Sequence, residues 1–146
     1  MRRFMFGSML MLSFTVPALS HDHATGVVKE RMDMMDTIGK HMSAIRERIK
    51  NKRDFTAIKG DAEAIVSHAT HIPHLFPPGS TQKPTQARST IWRNWPDFER
   101  LAATLETESK KLASIAVSDQ RGMEAQSRAV WDTCLSCHEK YRVRRR

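Results

Sequence analysis

The feature that most constrains the fold is the segment Cys134-Leu135-Ser136-Cys137-His138, near the C-terminus. The spacing C-x-x-C-H is typical of the attachment site of c-type haem. On a helix, positions i, i+3 and i+4 share one face, so the two thiols and the imidazole lie together. Each thiol can then form a thioether with a haem vinyl group, and His138 can supply an axial nitrogen to the iron. The motif therefore predicts a helix that carries one covalent haem c.

A haem-free dithiol is the competing interpretation of the two cysteines. A thioredoxin-like pair belongs at a strand-to-helix junction in a βαβ setting. The sequence shows no alternation of strands with helices, so a dithiol oxidoreductase is the least favoured of the functions considered.

Residues 1–20 have the pattern of a secretory signal peptide. Arg2 and Arg3 precede an apolar run over residues 4–16, and the small residues Ala18 and Ser20 follow it. Such a run is too short to span a membrane as a mature anchor. We therefore expect a mature domain over residues 21–146, without stable membrane insertion, in a bacterial periplasm.

The length of the chain indicates how many domains it forms, and its net charge indicates what kind of partner it binds. The 146 residues suggest a single domain with its own core. The formal net charge is +8, and removing Arg2 and Arg3 lowers it to +6. A basic surface favours redox partners with an acidic docking surface, through electrostatic steering. The aromatic residues have core-like spacings and do not alternate with the basic ones, which argues against nucleic-acid binding.

The mature chain is predicted to form four amphipathic helices, because apolar residues recur three and four positions apart. The first helix carries this stripe at Val28, Met35, Ile38, Met42, Ile45 and Ile49. The second, over about residues 54–72, carries it at Phe55, Ile58, Ala62, Ile65, Ala69 and Ile72, and Pro73 ends it. The third, from about Trp95, carries it at Trp95, Phe98, Ala102, Leu105, Leu112 and Ala116. The fourth, capped by Ser118 or Asp119, carries it at Met123, Ser127, Val130, Cys134, Cys137 and Tyr141.

The lengths of the connections indicate how these helices pack. One long loop, at residues 76–89, separates the second helix from the third, and the other two connections are short. Short connections favour antiparallel neighbours. The expected fold is all-α, an antiparallel up-down-up-down four-helix bundle with the covalent haem in its core.

Taken together, these features resemble the class II c-type cytochromes, the cytochrome c′ family. The haem motif lies in Cys134-Leu-Ser-Cys-His-Glu-Lys-Tyr-Arg142, whereas usual cytochromes c carry it near the N-terminus. Further landmarks match in order and spacing: Arg31, Met35, Ile38, Gly39, Met42, the segment at 76–80, Ile91, Trp92, Trp95 and Phe98. The resemblance covers essentially the whole mature chain. It implies a four-helix bundle, of which cytochrome c′ is itself a standard example. Related proteins often form homodimers through the first two helices, but the sequence shows no decisive patch for such a contact.

The resemblance makes Met35 the residue that separates two functions. In this family the residue four positions after the helix-one arginine faces the distal side of the haem. With methionine as the sixth ligand, His138 and Met35 fill both axial positions, which suits electron transfer. We therefore expect a non-enzymatic electron carrier ligated by His138 and Met35. The alternative is that Met35 only packs and the protein is a high-spin cytochrome c′ that binds nitric oxide or carbon monoxide.

Arg31 lies on the apolar stripe of the first helix and needs a partner, because a guanidinium does not lose its charge in a core. The resemblance implies that a haem propionate is this partner. Arg142 is a weaker candidate for the same role. We expect it at the surface with Arg144, Arg145 and Arg146, since cations are favourable at a helix C-terminus.

The histidines offer two metal hypotheses. His68, His71 and His74 are spaced by three, but Pro73 interrupts the helix that would align them, so we expect a solvated face. If cleavage follows Ser20, the mature chain begins at His21 and has His23 third, an arrangement suited to square-planar Cu(II) or Ni(II). Cleavage after Ala18 would abolish that site.

Overall fold

The computed structural model describes residues 24–115 and 117–143. Four long helices form the body of the protein: α1 (Gly26–Lys50), α2 (Thr56–Ala69), α4 (Trp95–Ser114) and α5 (Gln120–Tyr141). A 3₁₀ turn at Pro73–Leu75 and the short helix α3 (Thr90–Arg93) lie in the long connection between α2 and α4. The predicted all-α fold is confirmed.

The long helices pack in a closed ring. Helix α1 contacts α2 and α5, and α4 also contacts α2 and α5. Each helix therefore has two neighbours, and each consecutive pair runs antiparallel, as expected for an up-down-up-down bundle. One end of the bundle holds the N-terminal half of α1, residues 70–94, the first turn of α4 and the last turns of α5. We call it the haem-motif end.

The predicted apolar stripes form the core, because each helix turns one face inward. The buried members are Val28, Ile38, Met42, Ile45, Phe55, Ile58, Ala62, Ile65, Ala69, Ile72, Phe98, Ala102, Leu105, Leu112, Met123, Ser127, Val130 and Tyr141. Met35, Ile49, Trp95, Cys134 and Cys137 are half-buried and pack against this core. Leu101 and Ile91 are also buried, and the stripes did not include them. Ala116 lies outside the described residues.

The second helix is shorter than predicted. The prediction was about residues 54–72, but α2 ends at Ala69. Beyond it the backbone tightens, since the amides of His71 and Ile72 bond to carbonyls three residues earlier. Pro73 then opens the 3₁₀ turn. The chain thus changes from α to 3₁₀ geometry before the proline that was expected to end the helix, and α3 was not predicted at all.

The structure shows which of the two candidate residues caps the start of α5. The Asp119 Oδ1 accepts a hydrogen bond of 2.9 Å from the backbone N–H of Gly122. Asp119, rather than Ser118, is therefore the N-cap of the helix that carries the cysteine motif.

Candidate haem-binding site

The C-terminal half of α5 presents the three residues of the motif together. Cys134, Cys137 and His138 are all half-buried, and neither cysteine is in a disulfide. Both cysteines pack against the hydrophobic core. Helical geometry brings the three side chains to one side of α5, because they occupy positions i, i+3 and i+4.

The electrostatics of the thiols argue against a redox dithiol. Burial raises the pKa of Cys134 and of Cys137 to about 11, and the neighbouring Cys134 and Asp97 add to the shift at Cys137. Reactive cysteines have lowered pKa values and sit at helix N-termini or beside cations. These two lie at the opposite end of their helix, so the arrangement favours covalent attachment over thiol exchange.

His138 is held in the form that a metal needs. Burial lowers the pKa of its imidazole, and the nearby charge of Arg142 lowers it further. The neutral imidazole is the species that donates a lone pair to iron. This side chain therefore suits an axial ligand.

Met35 lies at the same end of the bundle as His138. The Arg46 guanidinium of α1 lies 4.4 Å from the centroid of the Trp131 ring of α5. This contact shows which residues of the two antiparallel helices lie at a similar level along the bundle axis. At about 1.5 Å per residue, Met35 is about 16 Å from Arg46 along α1 and His138 is about 10 Å from Trp131 along α5, in the same direction. The two side chains are thus within about two helical turns in height. Met34 is also half-buried and packs against the core.

Arg31 is buried, with 3% of its surface exposed, and connects α1 to the long loop. Its Nη1 donates to the Leu75 carbonyl at 3.4 Å and to Ser80 Oγ at 3.2 Å. Its Nη2 donates to the Ser80 carbonyl at 2.9 Å and to Thr85 Oγ1 at 2.8 Å. The guanidinium also lies 4.4 Å from the centroid of the Phe76 ring. That a haem propionate is a partner of Arg31 stays a prediction. The contacts with the loop use Nη1 and Nη2, so Nε would be the donor to the propionate.

Desolvation lowers the pKa of Arg31 from its ordinary value. That value is so high that the guanidinium stays charged. The loop oxygens therefore solvate a permanent buried cation. The sequence had predicted that Arg31 needs a partner, but nothing local pointed to Ser80 and Thr85.

A second cluster that was not predicted joins α4 to the end of α5. The Asp97 carboxylate accepts hydrogen bonds from Arg100, Tyr141 and Lys140, at 2.5, 2.7 and 3.0 Å. These donors hold the pKa of Asp97 well below its ordinary range. Burial and the Asp97 carboxylate raise the pKa of Tyr141 to about 12. The cluster fixes the turn that follows His138.

Arg142 has the surface position that we expected for it. Its side chain is exposed, and Nε donates to Gln86 Oε1 at 2.8 Å. Arg144, Arg145 and Arg146 lie outside the described residues.

Of the histidines considered above, the structure describes His68, His71 and His74, for which a solvated face was expected. His71 and His74 are exposed and His68 is half-buried. Over residues 24–115 and 117–143, no three His, Cys, Asp or Glu side chains converge as a metal site of their own. His21 and His23, the proposed copper ligands, lie outside the described residues. The Nδ1–H of His41, which had no assigned role, donates to the Asp61 carboxylate across α1 and α2, at 2.8 Å.

The donor set fits haem c better than a bare metal ion. Haem needs two thiols at the C-x-x-C spacing and one imidazole beside them, because the porphyrin supplies four of the iron ligands. Cys134, Cys137 and His138 meet this requirement on one half-buried helical face. Met35 is a thioether that packs against the same core. A groove of about 610 Å³ between α1 and α5 is lined by Arg46, Ser127, Trp131 and their neighbours, and none of the motif residues contributes to it.

None of the helices in the described part of the chain has the length and apolar character that crossing a membrane requires.

Comparisons with known proteins agree with this geometry. The family model described as Cytochrome C′ matches residues 26–142. A cytochrome c-556 from Agrobacterium tumefaciens (strain II Chrys) is 33% identical over 122 residues, which cover 82% of this chain and 99% of the relative. The solved cytochrome c′ from Rhodopseudomonas palustris has a TM-score of 0.77 and 25% identity, and the match covers 84% of this chain and all of that one. A nitric oxide complex of a variant cytochrome c prime from Alcaligenes xylosoxidans has a TM-score of 0.71 and 23% identity, over 81% of this chain and 94% of that one.

Proposed function

The chain belongs to the cytochrome c′ family, whose members bind haem c covalently, and from that premise we propose that it is a periplasmic electron carrier. Thioethers from Cys134 and Cys137 would hold one haem, and His138 and Met35 would be the axial ligands. When bound, the haem iron supplies one-electron redox chemistry. The protein would perform no bond chemistry on a substrate, and residues 1–20, which lie outside the described residues, would direct its export.

The chain's own residues would bind, orient and shield the haem. The last turns of α5 present both thiols and a neutral imidazole on one face. The hydrophobic core behind Cys134 and Cys137 would exclude water from the proximal side. Arg31 would contribute a positive charge near the site and toward a propionate, in addition to its contacts with the loop.

The observation that carries the proposal is the placement of Met35. It packs against the core from α1, within about two turns of the height of His138. A thioether opposite a histidine fills both axial positions and raises the reduction potential, which suits a carrier. Thioether sulfur is a weak ligand, so such a bond would depend on a helix that holds the sulfur in place.

A second function is supported by the solved relatives. Several of them are named cytochrome c′, and one is a nitric oxide complex. In that reading Met35 only packs, the iron keeps one axial position open, and the protein binds nitric oxide or carbon monoxide.

The absorption spectrum and carbon monoxide binding test the choice. We expect a low-spin haem with a methionine–iron band, and slow or weak carbon monoxide binding, because the ligand must displace sulfur. The variant Met35→Leu removes the donor but keeps an apolar side chain. It should become high-spin and bind carbon monoxide readily, and its reduction potential should fall.

Two methionine variants serve as controls. Met32 is half-buried on α1 and Met34 packs against the core, so Met32→Leu and Met34→Leu change methionines of the same helix. Both should leave the spectrum of the native protein unchanged. A native protein that is already high-spin and binds carbon monoxide as fast as Met35→Leu would establish the gas-binding function instead.

A further inference from the structure

The last turn of α5 is bound to the long connection by backbone contacts around one residue, Tyr141. The Arg88 N–H donates to the Tyr141 carbonyl at 2.9 Å, and the Val143 N–H donates to the Gln86 carbonyl at 2.8 Å. Ala87 and Arg142 form an isolated antiparallel bridge. Residues 86–94 therefore lie alongside the turn that follows His138.

These contacts bring four exposed cations together. Lys140 and Arg142 flank Tyr141 in sequence, and Arg88 contacts its carbonyl. Arg93 precedes Asn94, whose carbonyl is 3.5 Å from the Tyr141 hydroxyl. All four side chains are exposed. We call Arg88, Arg93, Lys140 and Arg142 the basic rim.

The basic rim is poorly neutralised. No Asp or Glu occurs between Glu63 and Asp97, so the connection that supplies Arg88 and Arg93 contains no acid. Within the residues that the structure describes, only Lys140 of the rim forms an ion pair, with Asp97. Asp97 also accepts hydrogen bonds from Arg100 and Tyr141. Glu99 and Glu139 are acids next to this cluster in sequence, and Glu139 has an interaction partner of its own. Toward the opposite end, by contrast, Arg48, Arg53 and Arg128 each pair with a carboxylate.

Apolar surface accompanies this charge. Leu135, inside the cysteine motif, is 42% exposed, and Val143, next to Arg142, is 50% exposed. Leu135 and His138 are three residues apart, so they share one flank of α5, and Arg142 directly follows the end of that helix. A small apolar area beside exposed cations is suited to a partner that is steered by charge and then docks.

We infer that the basic rim is the docking surface for an acidic electron-transfer protein, which would meet the carrier beside the haem motif. This inference rests on the proposed carrier function and adds the place and the chemistry of its partner. Exposed cations raise the encounter rate with an acidic surface, and the effect weakens with salt. Because the rim adjoins the turn after His138, docking there would bring the partner close to the site of electron exchange.

The test uses the haem-loaded protein and a reduced acidic flavodoxin as the probe. Arg88→Glu with Arg93→Glu reverses two rim charges, and neither side chain forms an ion pair within the described residues. Lys50→Glu with Lys52→Glu is the matched control, since it makes the same change in net charge at the opposite end of the bundle. Stopped-flow absorbance gives the rate of electron transfer, and dithionite reduction checks that each haem is intact.

At an ionic strength of about 0.01 M, where the Debye length is about 30 Å, the rim variant should react at least about tenfold more slowly than the native protein. The control should stay within about twofold of native. The difference should shrink near 0.1 M, as the Debye length falls to about 10 Å. Equal slowing in both variants, or native rates in the rim variant, would overturn the rim as the docking surface.

Amide chemical shifts provide a readout that does not depend on electron transfer. Oxidised flavodoxin should perturb the amides of residues 86–93 and 139–143 in the native protein and not in the rim variant. If these shifts occur but no electron is exchanged, the docking surface stands and the carrier function fails. If dithionite and flavodoxin both reduce the haem but flavodoxin perturbs amides outside these two segments, the carrier function is supported and the proposed docking surface is wrong.

Discussion

Arg31 connects the helix of the candidate distal ligand to the loop that closes the haem-motif end. Its four hydrogen bonds reach Leu75, Ser80 and Thr85, which are 44 to 54 residues away in the chain. A permanent charge in a buried position is tolerated only when oxygen atoms surround it. The loop is thus ordered around Arg31, and the position of the loop depends on this side chain.

Arg31→Leu should destabilise the protein by about 2–4 kcal/mol, although leucine suits the apolar stripe. The variant leaves four loop oxygens without their donor, and hydrogen bonds to charged groups contribute about 1.5–3 kcal/mol each before compensation by water. Denaturant unfolding measures the change. Thr85→Val removes one of the four bonds and also the acceptor of the Ala87 N–H, and it should cost about 1–2 kcal/mol.

The reduction potential of Arg31→Leu addresses the propionate separately. If Arg31 neutralises a propionate, its loss should lower the potential, because the freed carboxylate balances the charge of the oxidised iron. If the variant is destabilised but its reduction potential is unchanged, Arg31 stabilises the loop and does not neutralise a propionate. A variant as stable as the native protein would contradict the contacts described above.

The start of α5 depends on a pair of residues that must be considered together. The Asp119 carboxylate caps the helix through the N–H of Gly122. A Cβ added at Gly122 would collide with that carboxylate. An alanine at Gly122 would therefore displace the capping carboxylate from the position described above, whereas glycine, although a poor helix former, leaves it in place.

A double-mutant cycle tests this coupling. Asp119→Ala should lower the free energy of unfolding by about 1 kcal/mol, since one N–H loses its acceptor. Gly122→Ala in the native background should bring no gain, because the cap must move. In the Asp119→Ala background the same change should stabilise the protein by about 0.5–1 kcal/mol, as expected for an unobstructed helical glycine. Equal effects of Gly122→Ala in both backgrounds would rule the coupling out.

Across the bundle as a whole, two carboxylates of α4 join this helix to α5 at different heights. Asp97 accepts from Tyr141 and Lys140 of α5 at the haem-motif end. Glu108 accepts from Gln126 of α5 at 2.7 Å, farther along the bundle. Arg100, Tyr141 and Lys140 lower the pKa of Asp97, and Lys111 and Gln126 lower the pKa of Glu108.

This arrangement predicts the sign of the response to acid. A carboxyl with a lowered pKa in the folded state stabilises the fold fully above its unfolded-state pKa, about 3.9 for Asp and about 4.3 for Glu. That contribution is lost as the pH falls through the folded-state pKa. The stability advantage of the native protein over Asp97→Asn with Glu108→Gln should therefore be constant near neutrality and shrink below about pH 4.

Denaturant unfolding as a function of pH gives this difference. Glu99→Gln removes an exposed carboxylate of the same helix and should differ little from the native protein at any pH. An advantage of the native protein that persists unchanged in acid would mean that the two carboxylates do not stabilise the α4–α5 pair.

The elements of this protein could be predicted from sequence because helices depend on local periodicity. Apolar residues three and four apart identified all four long helices and nearly all of their buried faces. The cysteine motif is equally local, so Cys134, Cys137 and His138 could be assigned to one helical face before any fold was known. The bundle followed from the lengths of the connections.

The contacts made by the long connection between α2 and α4 could be seen only in the tertiary structure. The oxygen atoms around Arg31 come from segments more than forty residues away in the chain. The contact between Asp97 and Tyr141 spans a similar separation. No periodic pattern encodes such pairings, because each one joins residues that only the packed arrangement of helices and loops brings together. For the same reason the basic rim became visible only once residues 86–94 lay beside the end of α5. The choice of Asp119 over Ser118, by contrast, required only the geometry of one turn, in which a single carboxylate reaches the N–H of Gly122.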